Sequence, residues 1–103
     1  MKLIKHISEQ VEEELEGAAE YAKCANKWKD ENPTIAKAYY DMSLDEMRHV
    51  DVLHNLVVTE IRNYRNTHGD PPASMQAVYD YLHEQHIEKA GKVKALQMQY
   101  RGQ

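Results

Sequence analysis

Asp45-Glu46-Met47-Arg48-His49 lies between Ile35-Ala36-Lys37-Ala38-Tyr39-Tyr40-Asp41-Met42 and Val50-Asp51-Val52-Leu53, and the three stretches read as one continuous helix. Apolar residues recur there at alternating steps of four and three, through Ile35, Tyr39, Met42, Leu53 and Leu56. The two positions skipped between Met42 and Leu53 are Glu46 and His49. A glutamate and a histidine thus stand three residues apart where apolar side chains are due. Their neighbours Asp45, Arg48 and Asp51 fall off the seam and can stay in water.

Outward from this segment, two breaks divide the chain. Asn32-Pro33 offers a helix N-cap followed by proline at the first helical position, and His68-Gly69-Asp70-Pro71-Pro72 holds a glycine stop and two prolines that cannot continue a helix. The sequence therefore predicts three helices, from Lys2 to Asp30, Thr34 to Thr67 and Ala73 to Tyr100. Each is about 28 to 34 residues long, or about 40 to 50 Å at about 1.5 Å per residue. Helices of that length imply a bundle. With no strand-like alternation, internal repeat or low-complexity segment, the fold class is all-α, an antiparallel bundle in a single domain over residues 1–103.

The first helix carries a matching gap. Ile4, Ile7, Val11, Ala18, Tyr21, Ala25 and Trp28 follow the same alternating steps, and the missing seam position is Glu14. Three ionisable residues are thus expected on two inward-facing seams. Burying a carboxylate without a partner costs several kcal/mol, more than a small domain can spare. One solution is an ion pair of His49 with Glu14 or Glu46. The other is a metal: Glu-x-x-His directs both heads to one spot, and a glutamate from the facing helix completes three ligands. Oxygen and nitrogen ligands without thiolate suit iron, or manganese, better than a structural zinc site.

Composition removes other classes. At 103 residues the chain has little interior in which to hide polar groups, and its net charge of -4, with lysines and arginines interspersed among acids, speaks against nucleic acid as a partner. No apolar run approaches the roughly eighteen residues of a membrane span, and the opening MKLIKHISEQVEEE turns acidic too soon for a signal peptide. A cytoplasmic protein without membrane partners is expected. Cys24 is the only cysteine, which excludes an intrachain disulfide or a multi-thiolate zinc site and leaves it the role of a small buried hydrophobe.

Glu13-Glu14-Leu15-Glu16-Gly17-Ala18-Ala19-Glu20-Tyr21, then Ile35-Ala36 and Asp45-Glu46-Met47-Arg48-His49, resemble the first two helices of the ferritin-like superfamily. Rubrerythrins and bacterial ferritins have a metal glutamate seven residues before a tyrosine and then Glu-x-x-His on the next helix, and here Glu14 precedes Tyr21 by seven. The EELEG run looks most like the short encapsulated ferritins, where a similar EELEA segment carries the first ligand. The resemblance spans about half the chain, residues 9 to 56. It implies that Glu14, Glu46 and His49 are iron ligands.

A complete centre of that kind takes four carboxylates and two histidines. This chain offers half: its third helix has no Glu-x-x-His and a fourth helix is absent. The resemblance therefore implies a homodimer, or a multiple of it, with the three residues of each chain around a two-fold axis. It also implies a di-iron centre that oxidises iron(II) with dioxygen or peroxide, a ferroxidase. Electron delivery of the rubrerythrin type needs four cysteine thiolates, which one cysteine cannot supply. The chain stops at Tyr100-Arg101-Gly102-Gln103 without the tail that addresses encapsulated ferritins to a protein shell, so no encapsulation is expected. The competing expectation is a non-enzymatic helical scaffold or interaction module whose seam charges are merely paired.

Other residues carry weaker signals. Tyr21 and Tyr39 sit seven residues from Glu14 and Glu46 on the same seams, placed to hydrogen-bond a ligand, to donate an electron, or simply to pack. Glu9, Glu13, Glu16 and Glu20 form an acidic stripe, read as a solvated face or, through Glu13 and Glu16, as an accessory route that gathers cations. Met75, Val78, Leu82, Val93, Leu96 and Tyr100 suggest the packing face of the third helix. His83 and His86 lie on or beside it, a turn apart, either as accessory metal ligands or as interface and solvent histidines. His6, His54 and His68 show no spacing that assigns them a role.

Overall fold

The computed structural model describes residues 2–102; Met1 and Gln103, the last residue of the C-terminal stretch considered above, lie outside it. Three helices account for nearly all of the chain: α1, Lys2–Trp28; α2, Pro33–His68; and α3, Ala73–Arg101. Asn32 caps α2, its side chain accepting a hydrogen bond from the Ile35 amide at 3.2 Å, with Pro33 opening the helix. At the far end Gly69 takes φ 79°, a backbone conformation that side chains with a Cβ avoid, and its amide donates to the Arg65 carbonyl at 2.9 Å. The two prolines then separate α2 from α3. The predicted boundaries hold to within two residues.

The helices form an elongated bundle of 55 × 19 × 17 Å. The α2 helix returns antiparallel along α1, and α3 runs parallel to α1 and packs chiefly on it. The α1–α2 interface is lined by small residues: Ala18, Ala22 and Ala25 of α1 and Ala36 and Ser43 of α2 are all fully buried. Small side chains let the two backbones approach closely. The Ser43 hydroxyl uses this proximity to donate to the Ala18 carbonyl at 2.7 Å, and it accepts from the Gln97 side-chain amide of α3 at 3.0 Å. One buried hydroxyl thus ties all three helices. The Asn26 amide adds a second tie, donating to the Ala22 carbonyl of its own helix and the Leu96 carbonyl of α3, both at 2.9 Å. Towards the other end, Ile4, Ile7, Val11, Leu15 and Val50 supply the larger apolar contacts.

Packing around small residues corrects the expected seams. Leu15 and Ala22 join the core of α1, while Glu14 moves to its margin. In α2 the inward line is Ala36, Ser43 and Val50, one position round from the predicted one. Ile35, Met42 and Leu56 are consequently 46%, 39% and 48% exposed instead of buried. The helix presents to α1 the residues that allow the closest approach, and the bulkier side chains splay outside. In α3 Val93 and Gln97 are buried as the helix packs on α1, whereas Val78, expected on the packing face, is exposed. Among the described residues no helix is long and apolar enough to cross a membrane.

The Ser43 tie makes a quantitative expectation. Ser43→Ala leaves the buried Gln97 amide without its acceptor and should destabilise the fold by about 1 to 3 kcal/mol, the usual effect of orphaning a buried polar group. The double change Ser43→Ala/Gln97→Leu should recover part of that loss. Urea unfolding followed by circular dichroism checks both; a Ser43→Ala midpoint equal to that of the parent protein contradicts the role assigned here.

Candidate metal centre

Glu14, Glu46 and His49 come together. Among the described residues they form the group of at least three histidine, cysteine or acidic side chains whose ligand atoms all lie within 4.8 Å of one another. The register set by Ser43 on Ala18 is responsible: one turn along α2, Glu46 falls beside Gly17, and His49 falls opposite Glu14. The His49 Nδ1 is 3.3 Å from Glu14 Oε2 and 3.9 Å from Glu46 Oε1. A Cβ built on Gly17 would stand 3.1 Å from Glu46 Oε2, tighter than side chains normally pack. The bare glycine backbone therefore makes room for the Glu46 carboxylate.

The site differs from the sequence expectation in its depth. It sits at the margin of the α1–α2 interface, with the side chains of Glu14, Glu46 and His49 28%, 24% and 58% exposed. At about 3.6 residues per turn Glu14 and Glu12 point in nearly opposite directions. Since Glu12 meets His86 and Lys89 of α3, Glu14 faces the side that α3 leaves open. Along that open side of α2, Ile35, Met42, His49 and Leu56 follow at steps of seven, an apolar stripe interrupted by the site histidine.

Crowding of two carboxylates dominates the electrostatics. A hydrogen bond with Glu14, aided by partial burial and by the Glu14 charge, holds the Glu46 carboxyl well above its ordinary 4.5, at about 7; the nearby His49 opposes the shift. Near neutral pH the pair thus shares a proton. A cation would replace that proton, relieving the repulsion that raises the pKa. The residues present fit such an ion: two carboxylates and an imidazole within reach of one point, no thiolate, and an approach from the open side.

The other candidates are dispersed. Tyr21 and Tyr39 stack on each other across α1 and α2 with ring centroids 6.2 Å apart. Glu13 and Glu16 are exposed on α1. His83 and His86 do not join the Glu14 cluster: His83 stacks on His54, and His86 Nε2 lies 3.6 Å from Glu12 Oε2. His54, given no role by its spacing, thereby acquires a partner. No signal within one helix could reveal it, because the pairing depends on how α2 and α3 are set against each other. Comparison with protein-family models, curated proteins and solved structures gave no match.

The shared proton predicts a pH dependence. The folded chain keeps a proton on Glu46 that the unfolded chain releases above 4.5, so the pair favours folding most at low pH, and this contribution is lost as the pH rises through about 7. His86, whose pKa is lowered by burial and by the nearby His83 and His54, acts in the opposite sense and disfavours folding as the pH falls below 6.5. Comparing wild type with Glu46→Gln isolates the glutamate. In chelator, the variant should gain stability relative to wild type between about pH 5 and pH 8, since it removes a charge that the pair resists. Thermal melts across that range test this; a constant difference between the two proteins would refute the shared proton.

Proposed function

We propose that this chain is a ferritin-like, iron-binding protein that acts as a homodimer, with a di-iron site made from Glu14, Glu46 and His49 of both subunits, and that it oxidises iron(II). The observation that carries the proposal is the convergence of these three side chains on an open helix face bordered by exposed Ile35, Met42 and Leu56. The sequence resemblance to ferritin-like helices is consistent with it. A two-fold axis passing beside the cluster brings a second set of ligands to the first and covers the apolar stripe. Fully burying a large aliphatic side chain is worth about 1.5 to 3 kcal/mol, so each half-exposed stripe residue can contribute about 1 kcal/mol to association.

Each residue then has a defined task. Glu14 and Glu46 supply negative oxygen ligands and give up their shared proton when iron(II) binds. His49 supplies a neutral nitrogen, and the ring nitrogen not used for binding is free to hydrogen-bond outside the site. Carboxylates favour iron(III) over iron(II), which lowers the barrier to electron loss. Two substrate iron(II) ions each give one electron to dioxygen, which takes up two protons and leaves as hydrogen peroxide. Tyr21 and Tyr39, stacked on each other, would be the one-electron donors if the peroxide were reduced further.

A second reading has its own observation: the 3.3 Å approach of His49 to Glu14 pairs the two side chains without metal, as in a helical scaffold. Oxygen uptake separates the two. Protein loaded with iron(II) under nitrogen and then exposed to air should consume dioxygen well above the buffer rate, and Glu46→Ala should abolish the excess. Uptake equal to buffer favours the scaffold. The dimer is tested apart from the ligands: Met42→Glu places a charge in the apolar stripe, and it should yield a monomer in light scattering and lose iron oxidation although Met42 binds no metal. A variant that stays dimeric and active would remove the stripe from the interface.

A further inference from the structure

On the other side of the molecule, His54 of α2 and His83 of α3 stack with ring centroids 5.3 Å apart and planes inclined by 25°. One turn along α3 lies His86, largely buried. The three histidines border a half-open 290 Å³ cavity lined by residues of all three helices, Ser8, Gln76 and Tyr79 among them. The Tyr79 hydroxyl is buried without a hydrogen-bond partner among the described residues. Beside His86, Glu12 is fixed by an ion pair with Lys89 and sits 3.6 Å from the imidazole Nε2. None of these residues belongs to the Glu14 cluster.

We propose that His54, His83 and His86 form a second metal site, selective for a borderline divalent ion such as zinc(II) and separate from the carboxylate centre. Imidazole ligands suit zinc better than they suit iron(III), which prefers the carboxylates on the opposite face. His83 and His86 lie one turn apart on α3 and His54 stacks on His83 from α2, so the three rings border one cavity and an ion would have to draw their nitrogens together. With His86 Nε2 turned to Glu12, its Nδ1 is the nitrogen left for the ion, and the carboxylate takes the outer position that commonly orients a ligating histidine. Burial and the neighbouring histidines keep His86 in the neutral form that binds metal. Bringing the nitrogens together requires His83 to turn off its stack on His54; it is exposed and can do so without disturbing the core. The cavity has room for the ion and a bound water, which would give the Tyr79 hydroxyl its missing partner.

The test removes the first site. Zinc(II) affinity of the Glu46→Ala/His49→Ala protein is measured by competition with a colorimetric chelator, alone and with His54→Gln or His83→Gln added. The background protein should bind one zinc per chain, and either histidine change should weaken binding at least about tenfold, the loss seen even for outer partners of a ligand. In the background protein labelled with nitrogen-15 at histidine, zinc should shift the ring resonances of His54, His83 and His86 together. This measurement needs no change at those histidines and stands if a variant fails to fold. Absence of zinc binding by the background protein, or shifts confined to His6 and His68, would overturn the proposal.

Discussion

The hydrogen bond from the Ser43 hydroxyl to the Ala18 carbonyl fixes how α2 lies on α1, and the rest of the molecule follows from that register. It is possible only because Ala18, Ala22, Ala25 and Ala36 bring the backbones close. Close approach places Glu46 against the bare backbone of Gly17 and His49 opposite Glu14. Gln97 closes the arrangement by linking α3 to the same hydroxyl. Helix packing and site assembly are thus one geometric decision.

That decision leaves an imbalance. Two carboxylates share a small volume and hold a proton between them, and the face beside them exposes Ile35, Met42 and Leu56. Charge crowding calls for a cation, and the apolar stripe calls for a protein surface. A second copy of the chain carrying its own ligands answers both needs, which is why assembly and iron binding belong to one proposal. The histidine-lined cavity between the three helices stands apart from this logic, because its residues are gathered within one chain.

Much of the fold was legible because its signals are local. Asn32-Pro33 and Gly69-Asp70-Pro71-Pro72 mark helix ends through backbone chemistry, and the gaps in apolar spacing at Glu14, Glu46 and His49 identified the residues that come together. The depth of those residues was not legible. Periodicity locates a helix face only to about one position and gives weight to large side chains, so Ile35 and Met42 were expected inside, where Ala36 and Ser43 in fact lie. Small residues are weak hydrophobes, yet they govern the closest contacts. His54 was equally hidden, since its neighbour His83 comes from another helix and nothing in either helix alone sets their register.

The central claim is that three side chains of this chain are half of a metal site completed by a second copy. Titration of the protein with iron(II) under nitrogen, with molar mass followed by light scattering and bound iron by elemental analysis, tests it most directly. The account predicts that binding saturates at one iron per chain, on a species of twice the chain mass. Saturated binding on a species that keeps the mass of one chain would contradict it, as would a dimer that takes up no iron.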